Sequence, residues 1–362
     1  MSKILFLAAH RLDRSPSQRF RFEQYFPFLK QNGFDYDFSY LISEQDDKIF
    51  YQLGNLPTKL YIFLKSAWKR WIDVIRANKY DIIFIQREAF MTGTIFFENQ
   101  LKKKKVKIIY DFDDAIWIPN ISKNNKKLEW LKNPSKTSQL IAIADLVIAG
   151  NNYLVDYTRK FNNNVQLIPT TIDTNYHKRK NTNKKNRICI GWTGSHTTIQ
   201  HFEHAVPFLE KLKQKYGDTI YFKIIGDENY INIQLGIKGI KWRLQDEIDH
   251  LSEIDIGIMP LPDDEWAKGK CGLKGLQYMA LEIPCVMSPV GVNIEIVSDG
   301  VNGFLAKNEN EWVEKISLLI ENPDLRKQIG TEARKTVESR YSVNSQKEKY
   351  LRLLKGLLNE GS

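Results

Sequence analysis

The chain of 362 residues is poor in cysteine, with only Cys189, Cys271 and Cys285. An odd count without paired spacing excludes a disulfide framework and a thiolate zinc site, and suits a reducing compartment. Long apolar runs are also missing. Ile4 to Ala9, directly after Met1-Ser2-Lys3, is too short and wrongly flanked for a signal peptide or a membrane span. No other stretch reaches spanning length. The expectation is a cytoplasmic protein that touches a membrane at most peripherally, on its inner face. There is no repeat of fixed period, and the only biased segments are Lys102–Lys105 and the basic run Lys178–Lys185.

What the chain does have is length for two domains and an excess of cations, with a formal charge of +10 and a pI near 9.2. Anionic partners are implied: nucleic acid, an acidic membrane surface or a phosphorylated substrate. The basic residues are scattered and form no recognised nucleic-acid module, so nucleic acid is set aside.

Short runs rich in β-branched and aromatic residues alternate with longer amphipathic segments, as in βα units around a parallel sheet. Ile4–Ala8, Tyr36–Leu41, Asp81–Gln86, Val106–Asp111, Leu146–Ala149 and Val165–Ile168 form a first set. Residues 171–187 are polar and basic and read as a linker. A second set follows at Arg187–Trp192, Ile220–Ile225, Ile240–Trp242, Asp255–Met259, Pro284–Met287 and Gly303–Ala306. A helix is expected from about Thr198 to Tyr216, stopped by Gly217, with Pro207 kinking it or marking a start. The apolar spacing from Asn344 to Leu358 predicts a last helix with no strand after it. The fold class is α/β, with two Rossmann-like domains facing a cleft.

The most informative stretch is Trp266–Pro284, followed by Met287–Asn293. A glycine-bearing loop feeds a helix whose first N–H groups can receive phosphate oxygens. Lys270 and Lys274 lie one turn apart and can bracket the same diphosphate.

This region resembles the donor-binding helix of the family-4 glycosyltransferases. Val165–Pro169 with Ile172-Asp173, Ile190–Gly194, Asp255–Leu261 and Gly300–Leu305 fit further positions of that family in the same order. The resemblance implies the GT-B architecture. Residues 1–170 would be an N-terminal acceptor domain, 171–187 the linker and 188–343 the donor domain, with 344–362 a helix packing back on the N-terminal domain. It implies a retaining transfer of a sugar from a UDP- or GDP-linked donor to a glycan or lipid-linked acceptor, in cell-surface polysaccharide or glycoconjugate synthesis. No cofactor and no catalytic metal are expected.

On this resemblance Lys270 and Lys274 stabilise the departing diphosphate, while Gly194, Ser195, Gly272, Leu273, Gln277 and Asn293 bind the donor. Where the family usually carries two glutamates with seven residues between them, this chain has Gly269 and Gln277. Gln277 can bond ribose hydroxyls but without a carboxylate's charge. The family's arginine and lysine after the first donor-domain strand have no counterpart around Gly194–Thr198. These departures keep two other readings open, a non-catalytic nucleotide-sugar-binding relative and a nucleotide-sugar epimerase.

The acceptor side falls to His10 and Arg19, in a loop that also holds Arg11 and Arg21, and to Asp113 and Asp114. The two aspartates either line the cleft or cap Ala115–Trp117 as a helix start. His196, His201 and His204 lack ligands to complete a metal set and are read as surface or cleft residues, with His196 beside the donor. Between Lys59 and Lys79, the residues Leu60, Phe63, Leu64, Trp68, Trp71, Val74 and Ile75 form an apolar stripe flanked by cations. That stripe either packs on the sheet or lies on an anionic membrane surface.

Overall fold

The computed structural model describes residues 2–52, 54–118, 133–181 and 187–359. Residues 182–186 of the expected linker lie outside them. Contacts divide the chain into one unit of residues 1–170 with 347–362 and a second of residues 171–346.

The first unit is built on six parallel strands: β1 (Ser2–His10), β2 (Phe34–Ile42), β3 (Ile82–Gln86), β4 (Lys107–Phe112), β5 (Leu146–Ala149) and β6 (Val165–Leu167), in the order β2-β1-β3-β4-β5-β6. Ile4 to Ala8 and Ile82 to Ile85 are almost wholly buried. A parallel sheet covered on both faces demands such unbroken apolar runs, and that made the strands visible in the sequence. Strand order reverses at β1, so the carboxyl ends of β1 and β3 form the switch point where ligands settle in such sheets.

Helix α1 (Leu56–Arg76) packs beside β2 with an inverted amphipathy. Its buried residues are Ile62, Ser66, Arg70, Asp73 and Val74, while Leu60, Leu64, Trp68 and Ile75 are each more than half exposed. Of the stripe residues, Val74 is buried and Phe63 is half-buried against Phe90, while Leu60, Leu64, Trp68, Trp71 and Ile75 face outward, so the packing alternative holds only in part. Arg70, fully buried, is held by Asp73 at 2.7 Å and by the carbonyl of Ala89 at 2.7 Å. The charged pair satisfies itself on the inner face beside Ile62 and Val74, and the larger set of apolar residues is left outside.

The second unit has five parallel strands, β7 (Ile188–Thr193), β8 (Ile220–Ile225), β11 (Ile256–Met259), β12 (Cys285–Met287) and β13 (Phe304–Leu305), ordered β13-β12-β11-β7-β8. A two-stranded hairpin, β9 (Ile231–Asn232) and β10 (Ile237–Lys238), follows β8. The strand expected at Ile240–Trp242 reduces to a single bridge from Ile240 to Ile225. The helix expected from Thr198 breaks into a 3-10 turn (His196–Thr198), α2 (Ile199–Glu203) and α3 (Val206–Tyr216), where Pro207 occupies the first turn of α3. Pro in a first turn loses no helical bond. Residues 171–177 are packed rather than free: Thr171, Ile172 and His177 are buried, and Ile172 bridges to Ser342.

Helix α4 (Leu273–Ala280) lies against β11 and β12, and the last helix, α5 (Val343–Asn359), enters the first unit from residue 347. There the Tyr350 ring stacks on Tyr25 with centroids 4.5 Å apart, and Lys349 Nζ donates to the Leu167 carbonyl at 2.7 Å.

Candidate functional site

In the second unit the strand order reverses between β7 and β11, and the sequence-predicted donor residues gather at the carboxyl end of β7 and the start of α4. The turn after β7 needs glycine. A Cβ on Gly226 would stand 1.7 Å from the Gly194 carbonyl oxygen, and one on Gly194 would meet the Trp192 ring at 2.1 Å. Ser195 then starts the 3-10 turn, its backbone N–H donating to Thr198 Oγ1 at 2.9 Å. His196, mostly exposed, shares a hydrogen bond of 3.0 Å between its Nδ1 and Asp227.

Gly272 precedes α4 with φ of +70°, a left-handed conformation that glycine adopts without steric cost. Lys270 stands over the Trp266 ring at 5.4 Å and Lys274 over the Trp192 ring at 5.5 Å, so the two cations flank the helix start, with Leu273 half-buried between them. Tyr278 ties this helix to β7, its hydroxyl accepting the Thr193 N–H at 2.8 Å.

His201, read from the sequence as a surface or cleft histidine, is 4% exposed on α2, and no described residue hydrogen-bonds either ring nitrogen. Burial, then the charges of Lys270 and Lys274, lower its pKa to about 4. At neutral pH it is an uncharged imidazole with one N–H to give. Only the lysines' proximity, invisible in a linear pattern, marks it out.

Two residues expected to bind the donor have partners within the fold. Gln277 is buried and its Nε2 donates to Glu247 at 3.2 Å, and the same carboxylate accepts Trp242 Nε1 at 3.1 Å. A carboxylate thus stands beside Gln277 after all, supplied from 30 residues away by Glu247. Asn293 is 1% exposed and donates to the Ser288 carbonyl at 2.9 Å, which makes it a brace for the turn after β12.

In the first unit the predicted acceptor residues lie at the ends of β1 and β4. His10 is bracketed by Gln18, which accepts its N–H at 2.9 Å and donates to its carbonyl at 2.8 Å, and burial with nearby Arg14 lowers its pKa to about 4. Gln18 also donates to Glu23, whose carboxyl burial pushes up to about 7. Arg19 lies over the Phe20 ring and 3.9 Å from Asp13.

Arg11 and Arg21 are corrected. Arg11 pairs with Asp47 at 2.9 Å, and Arg21 is buried against Asp111 at 2.6 Å. Among the described residues Asp113 and Asp114 cap no helix, since residues 115–118 form a turn. They close on Arg87, which stands at φ of +60° after β3 and pairs with Asp113 at 2.7 Å and also with Asp114. Burial raises the Asp113 carboxyl above its usual range, with Arg87 opposing. Among the described residues no group of three or more His, Cys, Asp or Glu is arranged to hold a metal ion, and no helix is long and apolar enough to cross a membrane.

Residues 187–322 match the glycosyl transferases group 1 family. An uncharacterized glycosyltransferase of Methanocaldococcus jannaschii is 24% identical over 327 residues, covering 82% of this chain and 80% of its own. The trehalose synthase of Pyrococcus horikoshii is 36% identical over 67 residues, a stretch spanning 18% of this chain and 16% of that protein. Among solved structures, sucrose-phosphate synthase from Thermosynechococcus elongatus superposes with a TM-score of 0.73 at 13% identity, covering 99% of this chain and 100% of its own. HepE from Anabaena, in complex with UDP and glucose, gives 0.68 at 17% identity over 98% of this chain and 100% of its own. These structural likenesses carry the fold. Residues 187–322 of the second unit thus match the group 1 glycosyl transferases, and the fold is that of the GT-B glycosyltransferase structures.

Proposed function

We propose that this chain is a retaining, metal-independent glycosyltransferase. It moves a sugar from a UDP- or GDP-linked donor to a glycan or lipid-linked acceptor in cell-surface polysaccharide or glycoconjugate synthesis, working as a peripheral protein at the inner face of a membrane. The observation that carries the reading is the pairing of Lys270 and Lys274 with a neutral, buried His201 around the glycine-led start of α4. Fixed cations and N–H donors there meet the charge that develops on a departing nucleotide diphosphate, without reorganising as it forms. A neutral imidazole beside them donates a hydrogen bond and adds no third positive charge in the donor's absence. The Glu247–Gln277 pair offers acceptors for donor hydroxyls.

UDP is the first donor nucleotide to test, because HepE is a structural neighbour in complex with UDP-glucose. Titrating UDP, GDP and their sugars into the protein should raise its melting temperature selectively for one nucleotide, since a ligand bound only to the native state stabilises it by mass action. Lys270→Ala and Lys274→Ala should weaken that shift and lower transfer. Binding with no transfer to any acceptor would leave a nucleotide-sugar-binding relative, a reading favoured by Gly269 where the family has glutamate. Conversion of the donor with no acceptor present would leave an epimerase.

A further inference from the structure

Helix α1 turns its apolar stripe away from the protein. Leu60, Leu64, Trp68, Trp71 and Ile75 fall on one side at helical spacing, and Phe96 extends the patch, its ring stacked on Trp71 at 6.0 Å. Leu60, Leu64, Trp68 and Ile75 are 58–65% exposed. A soluble monomer seldom leaves so many large apolar side chains contiguous on one surface. The inner face of the same helix is closed by the Arg70–Asp73 pair and the Ser66 hydroxyl on the Leu41 carbonyl, so a simple roll of the helix would break those bonds.

From this geometry we infer that the outward face of α1, with Phe96, is the surface that seats the protein on an anionic lipid bilayer. Charge selects this occupant. Helix α1 holds five basic residues, Lys59, Lys65, Lys69, Arg70 and Arg76, and a single acidic one, Asp73. Lys65, Lys69 and Arg76 lie along one flank of the stripe by helical spacing. The nearby carboxylates are engaged: Asp46 by Lys65, Asp47 by Arg11 and Arg14, and Asp73 by Arg70 and Arg76. Lys69 reaches over the Tyr40 ring at 4.0 Å.

The patch is a ridge, and tryptophans beside lysines match the boundary between acyl chains and anionic headgroups. A second copy on the same face would bring two strongly basic helices together, which opposes self-association. The inference rests on the membrane part of the proposed function and not on the identity of the donor.

The test is vesicle flotation of the full chain with phosphatidylcholine alone and with added phosphatidylglycerol, beside the double variant Leu64→Glu/Trp68→Glu. Both positions are solvent-facing, so the variant keeps its fold, which its melting temperature and nucleotide-induced shift report independently. Wild type should float with the anionic vesicles and not with phosphatidylcholine, release as salt rises, and show a blue shift of tryptophan emission. The double variant should bind at least about tenfold more weakly, with its nucleotide response intact. No binding to anionic vesicles, or equal binding by the variant, overturns the inference. So does a salt-stable dimer of the wild type that the same two substitutions abolish, which would assign the face to a second copy. A lost nucleotide response with flotation preserved would instead strike at the donor site.

Discussion

The two sheets end in polar residues of opposite character. In the first unit cations and carboxylates are matched at close range: Arg21 with Asp111, Arg87 with Asp113 and Asp114, Arg11 and Arg14 with Asp47. In the second, the corresponding crevice presents Lys270 and Lys274 over indole rings and an uncharged His201, with two buried carboxylates, Asp227 beside His196 and Glu247 tied to Gln277 and Trp242. A charge-balanced surface suits hydroxyl groups, which need hydrogen bonds but bring no charge. A surface dominated by fixed cations suits a diphosphate. The same sheet geometry thus carries two different sets of side chains at its strand ends, and on a shared fold it is such choices that set function.

The contrast can be broken most forcefully at Arg21. Arg21→Ala leaves Asp111 buried and uncompensated, and should cost about 3–5 kcal/mol in denaturant unfolding of the first unit. Replacing both partners with apolar residues of similar volume should recover most of that loss. Recovery by the double replacement, with donor binding untouched throughout, would separate a structural pair from a ligand-binding one.

Next comes Lys274. If its charge meets the departing diphosphate, Lys274→Ala should lower turnover about a hundredfold or more while stability barely changes, and Lys270→Ala should act in the same direction. A loss confined to KM for the acceptor would move the lysines out of the donor site.

A smaller effect is expected at Gly272. Any Cβ there enters a left-handed conformation and approaches Ile296 Cδ1 at 2.3 Å, so Gly272→Ala should destabilise by about 1–2 kcal/mol and weaken nucleotide binding together. An unchanged melting temperature would show that the helix start tolerates another geometry.

The finest probe is pH. The pKa of His201 falls from 6.5 to about 4 on folding, so between those values the unfolded chain binds more protons than the folded one. The His201 share of stability should therefore fall as pH drops from 6.5 towards 4 and level off below, opposite in sign to the share of Glu23, and His201→Gln should remove it. His10, lowered to the same value in the first unit, contributes a separate share that His10→Asn removes. If neither substitution alters the slope, the two imidazoles are not held neutral by the fold.

What the sequence made legible follows the same physics. Buried parallel strands have to be apolar on both faces, so Ile82–Gln86 and Leu146–Ala149 stand out in a linear reading. The hairpin Ile231–Lys238 does not, because two-residue strands carry too little pattern to separate from a loop. Periodicity located α1 but could not say which face is inside, since that depends on Arg70 finding Asp73 and the Ala89 carbonyl. On the donor side, glycine and lysine spacing marked Gly272, Lys270 and Lys274. Glu247 and the burial of His201 escaped notice because their significance lies in partners contributed by other segments. Arg87 escaped for the same reason, its two aspartates lying 26 and 27 residues downstream.

The placement of Tyr350 against Tyr25 has a consequence in time. The first 170 residues leave the ribosome early, yet the ring that stacks on Tyr25 and the lysine that holds the Leu167 carbonyl arrive only after the second unit has been synthesised. Domains usually finish in the order they are made, but here the first unit cannot complete its contacts until the last helix has been synthesised.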